Sequence, residues 1–219
     1  MVDGLIPPPK PRLRGVSHEW AFFLSVPLGV WLVVSAPTGK AVLAASVYAL
    51  SVALLFGASA LYHRITWASA AARRWMRRID HSAIFVLIAG TYTPFALLTL
   101  DGTLATVVLV AVWAGAAAGI VMTMVWIDAP KWLIAIVYVA LGWVAVAAMP
   151  EMLSDLGVTA VGLVAAGGAL YTAGAIVYAR RRPDPSPAVF GYHEIFHVLV
   201  IAAAALQYAV VAFYVIPRA

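Results

Sequence analysis

Seven stretches of this 219-residue chain contain no Asp, Glu, Lys or Arg, and each is 19 to 26 residues long: 20–39, 41–62, 82–100, 102–127, 132–150, 156–179 and 195–217. A helix rises 1.5 Å per residue, so about 20 apolar residues cross a hydrocarbon core of about 30 Å. The stretches lack the alternation over ten-residue segments that marks a β-barrel strand. With 64% hydrophobic and only 11% charged residues, the chain cannot cover a water-facing surface, which takes about 25% charge in soluble domains. The expected fold is an all-α membrane protein of seven transmembrane helices in a single domain, 1–219. The helices fall at about 19–36, 41–63, 80–99, 103–126, 131–150, 156–179 and 191–216.

Turn and breaker residues punctuate the gaps: Pro37-Thr38-Gly39-Lys40, Asp101-Gly102-Thr103, Ile127-Asp128-Ala129-Pro130 and the segment 180–187. The long connection between helices 2 and 3 carries Arg73, Arg74, Arg77 and Arg78 around Trp75. It reads as a short basic amphipathic helix lying at the membrane surface. Helix 1 follows a basic segment but lacks a small-residue cleavage site, so it is read as a span and not a leader.

Seven spans put alternate connections on one side. Lys10, Arg12, Arg14, Arg64, Arg73, Arg74, Arg77, Arg78, Lys131, Arg180, Arg181 and Arg182 share one side, and only Lys40 and Arg218 lie on the other. The rule that basic residues stay inside then places the N-terminus in the cytoplasm and the C-terminus outside, for a multi-pass protein of the cell membrane. The same asymmetry accounts for the net charge of +5, and no nucleic-acid partner is expected. The partners expected are membrane lipids; oligomeric state is not legible.

Ionisable groups in a membrane span are costly and need a reason. All five histidines, with Glu19, Asp80 and Glu194, fall at the basic ends of their helices. His193 and His197 are four apart, on one helical face and about 6 Å apart along the axis, a spacing at which two imidazoles can share a metal ion. The plainer alternative is a pair of interfacial histidines. Ser59 and His63 repeat the spacing on helix 2, and Asp80 opens helix 3 at the same depth. Without cysteine, a metal must take nitrogen or oxygen ligands. His63, His193 and His197 with one water would complete a tetrahedral zinc site, Asp80 orienting the water and Ser59 assisting. Asp80 could instead cap helix 3, and Ser59 could serve close packing. His81 and Glu194 point away from the site and suit interfacial or packing roles, and the role of His18 and Glu19 is left open. Tyr92-Thr93-Pro94 reads as a kink with a compensating hydroxyl.

The motifs Ser59-Ala60-Leu61-Tyr62-His63, Asp80-His81-Ser82-Ala83-Ile84-Phe85 through Ala89-Gly90-Thr91-Tyr92-Thr93-Pro94-Phe95, and His193-Glu194-Ile195-Phe196-His197 resemble the hemolysin III family of bacterial membrane proteins. That family is related to the progestin and adipoQ receptor (PAQR) proteins, and the resemblance covers nearly the whole chain. It implies seven helices with zinc at the cytoplasmic end, ligated by His63, His193 and His197, with Asp80 holding the zinc-bound water and Ser59 beside it. The wider superfamily includes alkaline ceramidases, so a zinc-dependent hydrolase of a lipid amide or ester is the expectation, its acyl chain between the helices. The alternatives are a non-catalytic receptor or regulator with a structural zinc, and a cytolytic, pore-related protein. A transporter fits poorly because the ionisable residues gather at one end, and helix 7 lacks the lysine of a retinal pump.

Overall fold

A computed structural model describes residues 10–219; the first nine residues of the expected 1–219 domain lie outside it. Eight α-helices follow in order: α1 (Val16–Val34), α2 (Gly39–Arg64), α3 (Ala70–Leu98), α4 (Gly102–Val125), α5 (Lys131–Gly142), α6 (Ala145–Leu156), α7 (Val158–Arg180) and α8 (Tyr192–Val210). A π-helical turn, Val211–Val215, and a 3-10 turn, Ile216–Arg218, extend α8. Because α5 and α6 run on as one span, Lys131–Leu156, the structure has seven helical segments long and apolar enough to cross a membrane. Large hydrophobic side chains such as Trp20, Phe23, Leu50, Val125 and Phe213 are exposed, as suits a surface facing lipid and not water.

Sequence neighbours pack side by side along α1, α2, α3 and α4 and again along α7 and α8, and α1 meets α8 to bring the two ends of the chain together. The third helix is the most buried span and touches α2, α4 and α5. Close approach depends on small residues. A Cβ on Gly90 would lie 2.3 Å from Ser51 Oγ of α2, and one on Gly119 of α4 would lie 2.2 Å from the Phe85 ring.

Two expected boundaries are corrected. The third helix begins at Ala70, capped by the Ser69 hydroxyl accepting from Ala72 N at 3.1 Å, ten residues before Asp80. The arginine-rich segment is therefore the first turns of α3 and not a separate surface helix, and Asp80 sits well inside the helix, where it caps nothing. No Gly or Pro interrupts 70–80, so the arginines mark a change from polar to apolar composition within the helix and not its end. Arg77 bonds Asp128 and the Ile127 carbonyl at 2.8 and 3.0 Å, and Arg78 bonds the Met124 carbonyl at 2.9 Å. The fifth span, expected as 131–150, breaks at Trp143–Val144 and runs on to Leu156, ending on Gly157 at φ +84°. Tyr92 of α3 repairs the break: its hydroxyl donates to the Gly142 carbonyl and accepts from Ala145 N at 2.6 Å. Beside Pro94, the Thr93 hydroxyl donates to the Ala89 carbonyl at 2.9 Å and accepts from Trp113 Nε1 at 3.2 Å, while the carbonyl that Pro94 itself leaves without a helical donor is that of Gly90, four residues back.

Candidate metal centre

The last turns of α2 and the first turns of α8 meet at the basic end of the bundle, and their four-residue spacing turns Ser59 and His63, and His193 and His197, onto facing surfaces. The Nε2 atoms of His63 and His193 are 3.1 Å apart. One ligating nitrogen from each of His63, His193 and His197 lies within 4.8 Å of the others, and the three side chains are buried, though His193 as a whole residue keeps some exposure. Their ring centroids are 4.6 to 5.2 Å apart.

This donor set suits a metal. Nitrogens held tetrahedrally at 2.0–2.1 Å from zinc sit about 3.3–3.4 Å from one another, close to the His63–His193 separation. His197 Nδ1 is buried without a hydrogen-bond partner, an orphan that coordination or a bound water would satisfy. Three imidazoles without thiolate accept zinc, copper, iron or nickel; the structure establishes a group that could hold a metal and not which one.

Asp80 and Ser59 stand beside the imidazoles. Asp80 Oδ2 is 4.0 Å from His63 Nε2, too far for a direct hydrogen bond. Ser59 Oγ is 2.8 Å from Nδ1 of His18, which arrives from α1. The neighbour of Asp80 in sequence, His81, is not part of the group: Nδ1–H donates to the Arg77 carbonyl at 2.8 Å and Nε2 faces the Tyr178 hydroxyl at 3.4 Å, which leaves its ring anchored to its own helix. Glu194 is 1% exposed; it accepts from Gly191 N at 2.8 Å, closing the start of α8, and pairs with Arg14. A buried carboxylate at a helix N-terminus, matched by a guanidinium, is well placed electrostatically. Glu19, by contrast, bonds Arg64 at 2.7 Å on the exposed rim.

The segment before α1 roofs this end. Arg12 N and Leu13 N donate to the carbonyls of Ala188 and Val189 at 3.0 and 3.1 Å, Arg14 reaches Glu194, and Gly15 turns the chain at φ +81°. A Cβ there would lie 2.5 Å from His63 Cβ, so the backbone itself covers the imidazole.

Beneath the imidazoles opens a cavity of ≈ 160 Å³. His18, Ser59, Asp80, His193 and His197 line its head, and Tyr92, Phe95, Leu100, Met152 and Gln207 line its length. From Asp80 to Phe95 the helix rises roughly 22 Å, so the space follows most of the bundle's thickness and is walled mainly by apolar side chains. Two lining residues escaped the reading of the sequence. His18 was left without a role because nothing in one chain's sequence tells that α1 closes onto α8. Gln207, 6% exposed with its amide donating to the Val164 carbonyl at 3.2 Å, carries no charge or spacing to mark it in the sequence, though a buried amide in a membrane span is itself a signal.

The family described as Haemolysin-III related matches this chain over residues 8–208. Hemolysin-3 of Bacillus cereus is 33% identical over 209 residues, covering 94% of this chain and 92% of the relative. The Hemolysin-3 homolog of Bacillus subtilis (strain 168) is 34% identical over 204 residues, covering 92% of each.

Proposed function

The chain belongs to the haemolysin-III-related family, and from that premise we propose that it is a zinc-dependent hydrolase of a lipid amide or ester in the cell membrane, with its site at the cytoplasmic face. The observation that carries the reading is a juxtaposition: His193 and His197 of the three-imidazole cluster, with the Asp80 carboxylate, line the head of a mainly apolar cavity that follows the bundle axis. His63, His193 and His197 would hold the ion, and Ser59 and Asp80 would face it. A zinc ion there supplies Lewis-acid polarisation and makes water a nucleophile near neutral pH.

The rest of the chemistry belongs to the chain's own side chains. Asp80 Oδ2 takes a proton from the attacking water as its oxygen bonds to the carbonyl carbon, then returns that proton to the leaving nitrogen or oxygen as the C–N or C–O bond breaks. A fatty acid and an amine or alcohol result. Ser59 Oγ orients the water, the cavity holds the acyl chain, and the roof formed by Arg12, Leu13, Arg14 and Gly15 keeps bulk water from the buried imidazoles. The distribution of basic residues, twelve on the site's side against two, supports a cytoplasmic placement.

Release of fatty acid from a panel of lipid amides and esters by the zinc-loaded protein tests this reading. Turnover should fall by about 100-fold or more in Asp80→Asn, which keeps the shape but not the proton acceptor. A metal bound by α2 and α8 also ties those two helices together, which favours a second reading as a structural staple in a non-catalytic receptor or regulator. Stoichiometric zinc that raises the melting temperature, with no hydrolysis of any lipid class, would decide for the staple.

A further inference from the structure

His18 is the histidine that neither the sequence motifs nor the proposed chemistry employs, yet it is 2% exposed and lies in the centre of the site. Its ring stacks on that of His197, with centroids 3.7 Å apart and planes 10° from parallel. Its Nδ1 is 2.8 Å from Ser59 Oγ, and its outer edge meets the Phe56 ring at 5.1 Å in an edge-to-face arrangement. A histidine buried only for packing would not need both a stacked imidazole and a hydroxyl partner. Each of these contacts removes a freedom from a different site residue. The stacking limits the plane in which His197 can turn its nitrogens, and the hydrogen bond fixes the rotor of Ser59, whose side chain lines the same cavity head as Asp80.

We propose that His18 is a positioning residue of the centre, holding the ring of His197 by stacking and the hydroxyl of Ser59 by hydrogen bonding. This rests on the reading of His63, His193 and His197 as metal ligands. In helical metal sites the orientation of a ligating imidazole is set by groups behind it, and loss of such a group typically costs 10- to 100-fold in metal affinity. Here the group behind His197 is an aromatic face supplied by α1, the helix that closes the bundle against α8.

Two substitutions separate the two contacts. His18→Phe keeps a flat ring against His197 but offers nothing to Ser59; His18→Asn keeps a polar atom near the place of Nδ1 and removes the stacked face. The measurements are metal affinity by chelator competition and the visible ligand-field spectrum of the cobalt-substituted protein, with a melting curve of each metal-free variant to verify folding. His18→Asn should weaken metal binding by about tenfold or more and shift the cobalt bands. His18→Phe should keep affinity within about threefold, and should lower the rate of lipid hydrolysis to that of Ser59→Ala without a further loss when the two changes are combined.

Unchanged affinity and cobalt spectrum in His18→Asn, together with full turnover in His18→Phe, would reduce His18 to a packing residue and overturn the proposal. If the unaltered protein binds no cobalt or zinc, the metal-centre reading falls first, and this inference with it. That outcome is distinct from one in which the unaltered protein loads fully and the His18 variants match it.

Discussion

At the scale of single residues, the site owes its shape to positions that do no chemistry themselves. Gly15 is the sharpest case. Its φ of +81° is disfavoured for any residue with a side chain, and a methyl group there would press on His63 Cβ at 2.5 Å. Gly15→Ala should therefore destabilise the protein by about 1–3 kcal/mol and weaken metal retention by displacing His63. Melting temperature and metal content report the two effects, and an unchanged value for both would mean that the roof moves freely. The three clustered histidines were legible because histidine is rare in hydrocarbon and the four-residue spacing is a helical property readable in one dimension. His18 and Gly15 were not legible. Their roles exist only once α1 lies against α8 and the preceding segment crosses over α2, and neither contact leaves a periodic mark in sequence.

At the scale of elements, apolar length determined the spans and charge misled about their ends. Runs of about 20 uncharged residues have one stable solution in a bilayer, since every backbone group must be paired within the segment, so the seven spans could be read directly. Helix termini follow a different logic. Arg73, Arg74, Arg77 and Arg78 sit on α3 itself, their long side chains reaching out from a helix that has already begun, so the charges gave the interface and not the cap. The break between α5 and α6 was hidden for the same kind of reason: Gly142 alone is a weak breaker, and the break is stabilised by Tyr92, fifty residues away. Tyr92→Phe should leave Ala145 N and the Gly142 carbonyl, neither of them fully buried, without that partner, at a cost of about 0.5–1.5 kcal/mol. Unfolding in detergent would show it as a lowered midpoint, and an unaltered midpoint would mean that water replaces the hydroxyl.

At the scale of the whole molecule, the bundle gathers its five histidines, with Asp80 and Glu194, at one end and leaves a mainly apolar cavity below them. A centre confined to one face, walled by lipid-facing helices and covered by the segment before α1, meets what a hydrolase needs to act on a molecule dissolved in the membrane, with its polar bond at the interface and its chain inside. Every part of that account depends on the three imidazoles sharing an ion. The most direct test is the metal content of purified, chelator-washed protein reloaded with zinc, beside His63→Ala, His193→Ala, His197→Ala and Asp80→Ala. One zinc per chain, lost in each histidine variant and kept in Asp80→Ala, is the predicted result. No stoichiometric metal in the unaltered protein, or zinc retained when His193 is removed, would contradict it.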